Sequence, residues 1–360
     1  MAVTIKPGTK LCQESIVIDG LISAPISIGC VRSFLEAGIT ASHWTIAAKT
    51  QDTVTTLGRI TQMYWMLEQF PEKTLLVEKS TDIERARHEG KLGIIMGFQG
   101  GGPLSGDVQL LRIFHKLGVR IIALTYNEGN IFGSGCTEPS NGGLTSLGIQ
   151  AVEEMNRLGI LVDLTHLGER SAMESIDISE DPVIFSHSNP SAVWKNPRNI
   201  NDKLIRRCTE KGGVIGLATF SAFVGDTWNG RTPTLNDLLN QMDHILNLIG
   251  PDHLAIGTDI LIDPTDGVWW RAVTGRLYPE ISQGMTFETH NIEGFANHAD
   301  FPRVVDAMLD RGYGQETVGK ILGGNFMRIF HQVWDKSSAY PQQPPQLFPE
   351  PSRQSQDEAL

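Results

Sequence analysis

Short apolar runs that alternate with amphipathic segments are the feature that most constrains the fold of this chain. Most of the runs are continuously apolar, as in strands that are buried on both faces of a parallel sheet. Eight runs are predicted as strands: residues 16–20, 39–47, 92–98, 119–127, 160–166, 182–187, 213–220 and 253–261. The segments between them have the period of amphipathic helices, and several end in Gly, which favours a helix C-terminus.

This alternation, repeated eight times, predicts an α/β fold of the (β/α)8 TIM-like barrel type, with insertions. A doubly wound open sheet is the rival architecture. It ranks lower because no G-x-G-x-x-G motif opens a helix after a strand. The Gly-rich stretch GFQGGGPLSG has the wrong spacing, and no P-loop is present.

The end of the chain, SSAYPQQPPQLFPEPSRQSQDEAL, changes sharply towards Pro, Gln, Ser and charged residues. Such a composition is typical of a flexible tail. The predicted organisation is an N-terminal segment (1–14), a single barrel domain (15–335) and a flexible Pro/Gln-rich tail (336–360).

The charge balance excludes several classes of partner. Thirty Lys and Arg against 41 Asp and Glu give a formal net charge of −11, which argues against nucleic acid or an anionic membrane surface. No stretch reaches the ~18–20 apolar residues of a spanning helix, and nothing at the N-terminus marks the chain for secretion. Its four cysteines are scattered. We therefore expect a cytoplasmic protein whose partner is a small-molecule substrate.

A barrel of this kind carries its active site at the C-terminal ends of its strands. Most of the predicted strand ends carry a polar or titratable side chain that a packed core would not select. The residues at these ends are Asp19 with Leu21 and Ser23, His43, Gln99, Tyr126 with Asn127, His166, His187 and Asp259.

His166 and His187 are the strongest candidates among these residues. They end consecutive strands, whose ends lie about 5 Å apart, so the two imidazoles could meet over one ligand. A lone strand-end histidine such as His43 is more often a hydrogen-bonded core or rim residue. Asp259 ends the run IGTD, where a carboxylate is costly to bury without a partner, and this favours a functional role.

Four segments of the chain resemble the renal (membrane) dipeptidase family, a zinc-dependent branch of the amidohydrolase-like barrels. They are GLTSLGIQAVEEMNRLGILVDLTH (143–166), FSHSNPSAVWKNPRNI (185–200), IGTD (256–259) and LDRGYGQETVGKILGGNFMRIF (309–330). The resemblance covers residues 15–335 in the correct order. It implies the same barrel, a substrate derived from amino acids or peptides, and a homodimer.

The resemblance also implies a catalytic centre of two zinc ions bridged by a glutamate. In the family, an H-x-D pair and the bridging Glu hold the first ion, and the same Glu and two histidines hold the second. His166 and His187 match those two histidines. Arg198 matches the arginine that binds the substrate carboxylate, and Asp259 matches the aspartate that takes the substrate amine and relays a proton.

Four decisive positions depart from the family pattern. The D-G-H-x-D motif reads DGLIS at 19–23, so that Leu21 and Ser23 replace the ligands of the first metal. Gln99 replaces the bridging glutamate. The L-T-H-N-x-x-N motif, whose histidine contacts the scissile carbonyl, reads LTYNEGN with Tyr126 at the histidine.

The site is therefore predicted to have exchanged its metals for an acid–base set. The predicted catalytic residues are His166, His187, Asp259 and Tyr126. The predicted substrate-binding residues are Arg198, Gln99, Asn127, Asn130 and His43. Without a metal, the two histidines are expected to titrate near neutral pH.

We expect no cofactor, because leucine cannot bind zinc, serine is a poor ligand, and the glutamine offers a neutral carbonyl where an anion bridged two cations. One zinc ion held by His166 and His187 is the alternative.

The favoured function is a metal-independent enzyme that performs acid–base chemistry on a small carboxylate-bearing substrate. Hydrolysis, elimination or hydration, isomerisation and decarboxylation all stay open. One alternative is a catalytically inactive homologue that acts as a binding or scaffold protein, and another is a residual mononuclear zinc dipeptidase. The replaced positions are mostly polar, which favours retained chemistry.

Overall fold

The computed structural model describes residues 6–49, 51–261 and 276–336. Its strands are β1 (Ile18–Ser23), β2 (Ala41–Ala48), β3 (Thr74–Leu76), β4 (Leu92–Gln99), β5 (Val119–Ala123), β6 (Leu161–Asp163), β7 (Ile184–Phe185), β8 (Val214–Leu217), β9 (Leu254–Ile256) and β10 (Ile260–Leu261). The predicted tail, apart from its first residue, lies outside the described residues.

Helices follow the strands along the chain. They are α1 (Pro7–Glu14), α2 (Ile28–Glu36), α3 (Thr53–Gln69), α4 (Ser80–Glu89), α5 (Leu110–Lys116), α6 (Ser146–Leu158), α7 (Glu169–Ile178), α8 (Asp202–Glu210), α9 (Ser221–Val224), α10 (Leu235–Ile249), α11 (Pro279–Ser282), α12 (Phe301–Asp310), α13 (Gln315–Gly319) and α14 (Asn325–Trp334). The π-helical turn Lys320–Gly324 joins α13 to α14. Several helices start at a side-chain cap, such as Thr145 before α6 and Asn201 before α8.

The strands form a closed parallel barrel in the order β1-β2-β4-β5-β6-β7-β8-β9, with β10 beside β1. β9 pairs with β8, and β10 pairs with β1. The eighth strand of the barrel therefore consists of β9 and β10 and is interrupted at residues 257–259. The predicted single-domain (β/α)8 barrel is confirmed. The sequence does not predict β3, which pairs with β4 outside this circuit, because three residues are too few to show a strand pattern.

The real strand ends correct two of the predicted positions. β1 runs on to Ser23 and β2 to Ala48, so Asp19 and His43 lie inside strands and not at their ends. β5, β6 and β7 are shorter than predicted. The polar residues that follow these three strands therefore stand in loops at the mouth of the barrel.

One side chain from each of the eight barrel strands fills the inside of the barrel. This inner ring consists of Ile18, Ala41, Ile95, Ile121, Leu161, Ile184, Val214 and Ala255. Phe326 and Phe330 of α14 pack against it, as expected for a packed core rather than a pore. The N-terminal helix α1 is tied to α12, because the amide of Gly8 donates to Asp306 Oδ1 at 2.7 Å. None of the described helices combines the length and the apolar character needed to cross a bilayer.

Candidate active site

His166, His187 and Gln99 meet at the mouth of the barrel. Gln99 is the last residue of β4, and the two histidines stand just past β6 and β7. His166 Nε2 lies 3.1 Å from His187 Nε2 and 2.8 Å from Gln99 Oε1. His166 has a φ of 72°, a left-handed conformation that is strained for a residue with a Cβ and is often found at functional sites. We call these three residues the imidazole cluster.

The orientation of the Gln99 amide follows from its second contact. Gln99 Nε2 lies 2.7 Å from Thr45 Oγ1, and that hydroxyl donates to the Ile22 carbonyl at 2.9 Å. Since the Thr45 hydroxyl has only one proton, it must accept from the amide nitrogen, and the amide oxygen then faces His166. Gln99 therefore offers His166 Nε2 a hydrogen-bond acceptor.

His187 is held in its Nδ1–H tautomer by a buried carboxylate. Ser186 Oγ donates to Asp163 Oδ2 and lies 2.7 Å from His187 Nδ1. Because the serine proton is used on Asp163, Ser186 accepts from His187 Nδ1–H. The lone pair of His187 Nε2 consequently faces His166 Nε2, 3.1 Å away.

The other face of His166 is fixed by the loop that follows β5. Asn127 Oδ1 lies 2.7 Å from His166 Nδ1, so that an amide oxygen faces each nitrogen of this imidazole, and the Tyr126 ring stacks on it with centroids 4.1 Å apart. Burial raises the pKa of the Tyr126 hydroxyl above its usual range, and the charge of Asp259 adds to this effect. The hydroxyl stays protonated at neutral pH and is available as a donor.

Burial sets the protonation of the two histidines. It lowers the pKa of both imidazoles well below the usual range, and the positive charge of Arg198 lowers it further. The expectation that they titrate near neutral pH is therefore wrong. The reason is that the pair is enclosed next to a guanidinium instead of open to water, so both rings are neutral at pH 7.

Arg198 brings a buried positive charge to this cluster. Its side chain is only 3% exposed, and Nη2 lies 3.5 Å from His166 Nε2 and 3.4 Å from the His187 carbonyl. The guanidinium also lies over the Phe223 ring, 5.2 Å from its centroid. Within the described residues it forms no ion pair with a carboxylate. A buried guanidinium without an anionic partner is a binding site for an anion.

Asp259 lies between β9 and β10, in the interruption of the eighth barrel strand, and has a φ of 54°. Its amide donates to the Leu21 carbonyl at 3.0 Å. Burial raises the pKa of the Asp259 carboxyl to about 7, the charge of Arg198 opposes this, and the charge of Asp19 adds to it. The group can therefore give or take a proton near neutral pH.

This pKa predicts a pH-dependent stability effect. The folded-state pKa of Asp259 lies above the unfolded value of about 3.9, so ionisation of this carboxyl lowers the stability of the fold. The loss is absent below pH ~4, grows as the pH rises, and is complete above about pH 7. Asp259→Asn is expected to stabilise the fold by about 1–3 kcal/mol at pH 8 and not at pH 4. Urea unfolding at the two pH values measures this difference. The exposed Asp310→Asn is the control, and an equal gain from Asp259→Asn at both pH values would contradict the assignment.

Two of the predicted substrate-binding residues are not in the cluster. His43 is buried inside the barrel, where Nδ1–H donates to the Gly20 carbonyl at 2.9 Å and the ring lies over Gly97. A Cβ at position 97 would lie 2.0 Å from His43 Nε2, so only glycine leaves room for this imidazole. Asn130 is exposed, and its amide bonds the backbone of Leu124 and Phe132 at 2.8 Å each. The contacts of both residues are with their own barrel or loop.

Two buried carboxylates matter to the site: Asp163, which the sequence does not single out, and Asp19, whose partners it does not predict. Asp163 holds His187 through Ser186. Asp19 accepts from the Thr258 hydroxyl at 2.6 Å and from His298 Nε2 at 2.7 Å. The first of these bonds joins β1 to the segment between β9 and β10. The pattern VDLTH draws attention to the histidine rather than to the aspartate inside the strand. His298 follows residues without a clear period, so no sequence signal pairs it with Asp19.

Two positions of the family's metal ligands lie in β1. Leu21 is fully buried in β1, and Ser23 ends that strand. Within the described residues, no group of three or more His, Cys, Asp or Glu side chains is arranged to hold a metal ion. The cluster has two imidazole nitrogens and one neutral amide oxygen.

The fold and this arrangement define a (β/α)8 barrel with a buried polar site at the C-terminal ends of its strands. The family model described as membrane dipeptidase (peptidase family M19) matches residues 8–268 and 269–343. The chain therefore belongs to the membrane dipeptidase family, as its motifs predict.

Curated relatives in this family include fungal dipeptidases. The dipeptidase tcpJ of Claviceps purpurea (strain 20.1) is 31% identical over 289 residues, which cover 79% of this chain and 61% of that protein. The dipeptidase verJ of Clonostachys rogersoniana is 27% identical over 284 residues, 78% of this chain and 66% of that protein. The chain thus spans less than two thirds of the length of these two relatives.

Solved structures agree with the fold. An amidohydrolase from Pseudomonas aeruginosa superposes with a TM-score of 0.84 at 30% identity, over 91% of this chain and 99% of that chain. A metallopeptidase from Rhodobacter sphaeroides, liganded with a phosphinate mimic of the dipeptide L-Ala-D-Ala, superposes with a TM-score of 0.75 at 20% identity, over 89% of this chain and all of that one. At that identity the second likeness concerns the fold alone.

Proposed function

We propose that this chain is a metal-independent enzyme that performs acid–base chemistry on a small carboxylate-bearing substrate, derived from amino acids or peptides. The observation that carries the proposal is the direct contact of His166, His187 and Gln99, which stand at metal-ligand positions of the family. The two imidazoles form a hydrogen-bonded pair beside the Gln99 amide. The reaction is one of hydrolysis, elimination or hydration, isomerisation and decarboxylation.

The two-zinc centre of the family does not fit this donor set. Leu21 and Ser23 stand where the first ion needs an imidazole and a carboxylate, and Gln99 cannot supply the bridging anion. No catalytic step is therefore assigned to a metal.

The residues of the site have separate roles in the proposed reaction. Arg198 binds the substrate carboxylate through two parallel N–H···O bonds. The lone pair of His187 Nε2 accepts the proton that the reaction removes, while His166 Nε2–H and the Tyr126 hydroxyl donate to a developing oxyanion. Asp259, with a pKa raised to about 7, returns a proton to the product or leaving group.

A mononuclear zinc dipeptidase is the second candidate, and one observation favours it. Two imidazole nitrogens and an amide oxygen converge on one point, and zinc sites use such nitrogens at about 2.0–2.1 Å from the metal. Catalytic zinc usually has three protein ligands, and a neutral amide oxygen is a weak third one.

Metal analysis and turnover decide between these functions. Protein purified without added zinc is expected to contain far less than one equivalent of the metal, and dipeptides with L- or D-residues at the C-terminal position are expected to stay intact with zinc supplied. A panel of N-acyl amino acids and hydroxy acids tests for turnover, with His187→Asn as the inactive control. Stoichiometric zinc together with dipeptide cleavage would overturn the proposal. A wild type that equals His187→Asn on every substrate would support a binding protein.

The compartment is proposed from the sequence. Its four cysteines are scattered, without a C-x-x-C motif or a dense framework, which supports a reducing, cytoplasmic compartment. A homodimer is proposed because the family resemblance implies it.

A further inference from the structure

Asp19 is a fully buried carboxylate of β1, and each of its oxygens accepts two hydrogen bonds. Oδ1 accepts from the amides of Leu21 and Thr258, at 3.2 and 2.8 Å. Oδ2 accepts from the Thr258 hydroxyl at 2.6 Å and from His298 Nε2 at 2.7 Å. Because these donors come from three separate segments of the chain, the carboxylate is held in one orientation.

Thr258, which supplies two of these donors, lies in the interruption of the eighth barrel strand. Its carbonyl accepts from the amide and the hydroxyl of Thr219, at 3.1 and 3.0 Å. The bonds to Asp19 therefore hold the peptide group in front of Thr258, and the bonds to Thr219 hold the peptide group behind it.

Asp259 directly follows Thr258 and has a strained backbone. Its φ of 54° is left-handed, and its amide donates to the Leu21 carbonyl at 3.0 Å. A residue with a Cβ keeps this conformation only where its surroundings impose it. Since the peptide groups on both sides of Thr258 are bonded to neighbouring strands and loops, these bonds determine the direction in which the Asp259 side chain leaves the backbone.

Three titratable or charged groups interact with the Asp259 carboxyl within the described residues. Arg198 comes from the loop between β7 and α8, Tyr126 from the loop after β5, and Asp19 from β1. The guanidinium favours the ionised carboxylate, whereas burial and the negative charge of Asp19 favour the protonated form and raise its pKa. Asp19 is thus linked to Asp259 both through the backbone and through its charge.

We propose that Asp19 is a positioning residue for Asp259, because its two bonds to Thr258 fix the left-handed backbone from which the Asp259 carboxyl extends. The charge of Asp19 supports the same role, since a neighbouring anion favours the protonated carboxyl that gives a proton to the product or leaving group. The inference rests on the proposed function, in which Asp259 returns a proton, and it names the group that controls this step.

Thr258→Val tests the bonds. It removes the hydroxyl that donates to Asp19 Oδ2 and keeps the β-branched shape and the charge of Asp19. Hydrogen exchange of the Asp259 amide, measured by NMR on the full chain, is expected to become about tenfold faster, the effect of losing one hydrogen bond that holds this segment. The amides of β4 are expected to keep their protection, which separates a local effect from a general loss of stability.

Asp19→Asn tests the charge. The variant keeps the shape of the side chain, and His298 can adapt to it. Nδ1 of His298 has no partner in the part of the chain that the structure describes, so the imidazole proton can move there and leave Nε2 to accept from the new amide. The side-chain carboxyl of Asp259 is expected to titrate near pH 7 in the wild type. In Asp19→Asn its midpoint is expected to fall by about one unit.

Two matched variants control for the loss of a buried group elsewhere. Asp82→Asn removes a buried carboxylate that accepts from the amides of Glu78 and Lys79 at the start of α4. Thr56→Val removes a fully buried hydroxyl that donates to the Asp52 carbonyl in α3. Both are expected to leave the midpoint of Asp259 and the exchange of its amide unchanged.

The outcomes separate this inference from the proposed function. A wild-type midpoint near pH 7 that Asp19→Asn does not move, or moves no more than Asp82→Asn does, would overturn the inference and leave the proton-donating role of Asp259 standing. Unchanged exchange of the Asp259 amide in Thr258→Val would also overturn it. A wild-type midpoint near pH 4 would contradict the role of Asp259 in the proposed function, and the inference with it.

Discussion

Replacing Leu21 by His, Ser23 by Asp and Gln99 by Glu in one chain is expected to convert a protein that binds little zinc into one that binds two ions. The triple variant would have the complete ligand set that the family resemblance implies, together with His166 and His187. Gln99 Oε1 already lies 2.8 Å from His166 Nε2, so Gln99→Glu places an anion where the bridging ligand is needed without a change in size. Elemental analysis and calorimetric titration with zinc measure the stoichiometry and affinity.

The single variant Gln99→Glu provides a graded control. With two imidazoles and one carboxylate it has the three protein ligands of a typical catalytic zinc site, and it is expected to bind one ion. Adding His187→Ala to the triple variant should remove the second ion and leave the first. If the triple variant binds no more zinc than the wild type, the three replaced ligand positions do not explain the metal content.

Removing the Asp163 carboxylate is expected to cost about 3–5 kcal/mol in the free energy of unfolding. The residue is fully buried and accepts from the amides of Thr165 and Ser186, both at 3.0 Å, and from the Ser186 hydroxyl. Asp163→Ala leaves these donors buried without a partner. Urea unfolding measures the loss, and a loss below about 1 kcal/mol would contradict this role.

The same carboxylate is expected to control the tautomer of His187. In Ser186→Ala the main-chain bonds to Asp163 stay, so stability should fall by only about 1 kcal/mol. The Nδ1–H tautomer of His187 should nevertheless be lost, which the nitrogen chemical shifts of the imidazole report. Unchanged shifts in Ser186→Ala would mean that another group fixes the ring.

The sequence predicts the barrel because its signals are local. Continuous apolar runs and the helical period between them are properties of ten or so neighbouring residues, and they survive small errors in the strand ends. Those errors matter for single residues. The placement of His43 at a strand end is wrong because β2 continues to Ala48, and a shift of a few residues along a strand moves a side chain from the mouth to the interior of the barrel.

What the sequence by itself determined is the family, the barrel and the identity of the side chains that replace the metal ligands, of which Leu21 and Gln99 are the most telling. Tertiary structure alone decided their chemistry. The neutral state of the imidazoles follows from burial beside Arg198, and the tautomer of His187 follows from the proton that Ser186 donates to Asp163. Asp19 and His298 are 279 residues apart in the chain and meet only in the fold. Burial and hydrogen bonding between distant segments have no local signature, because the folded chain alone brings these atoms together.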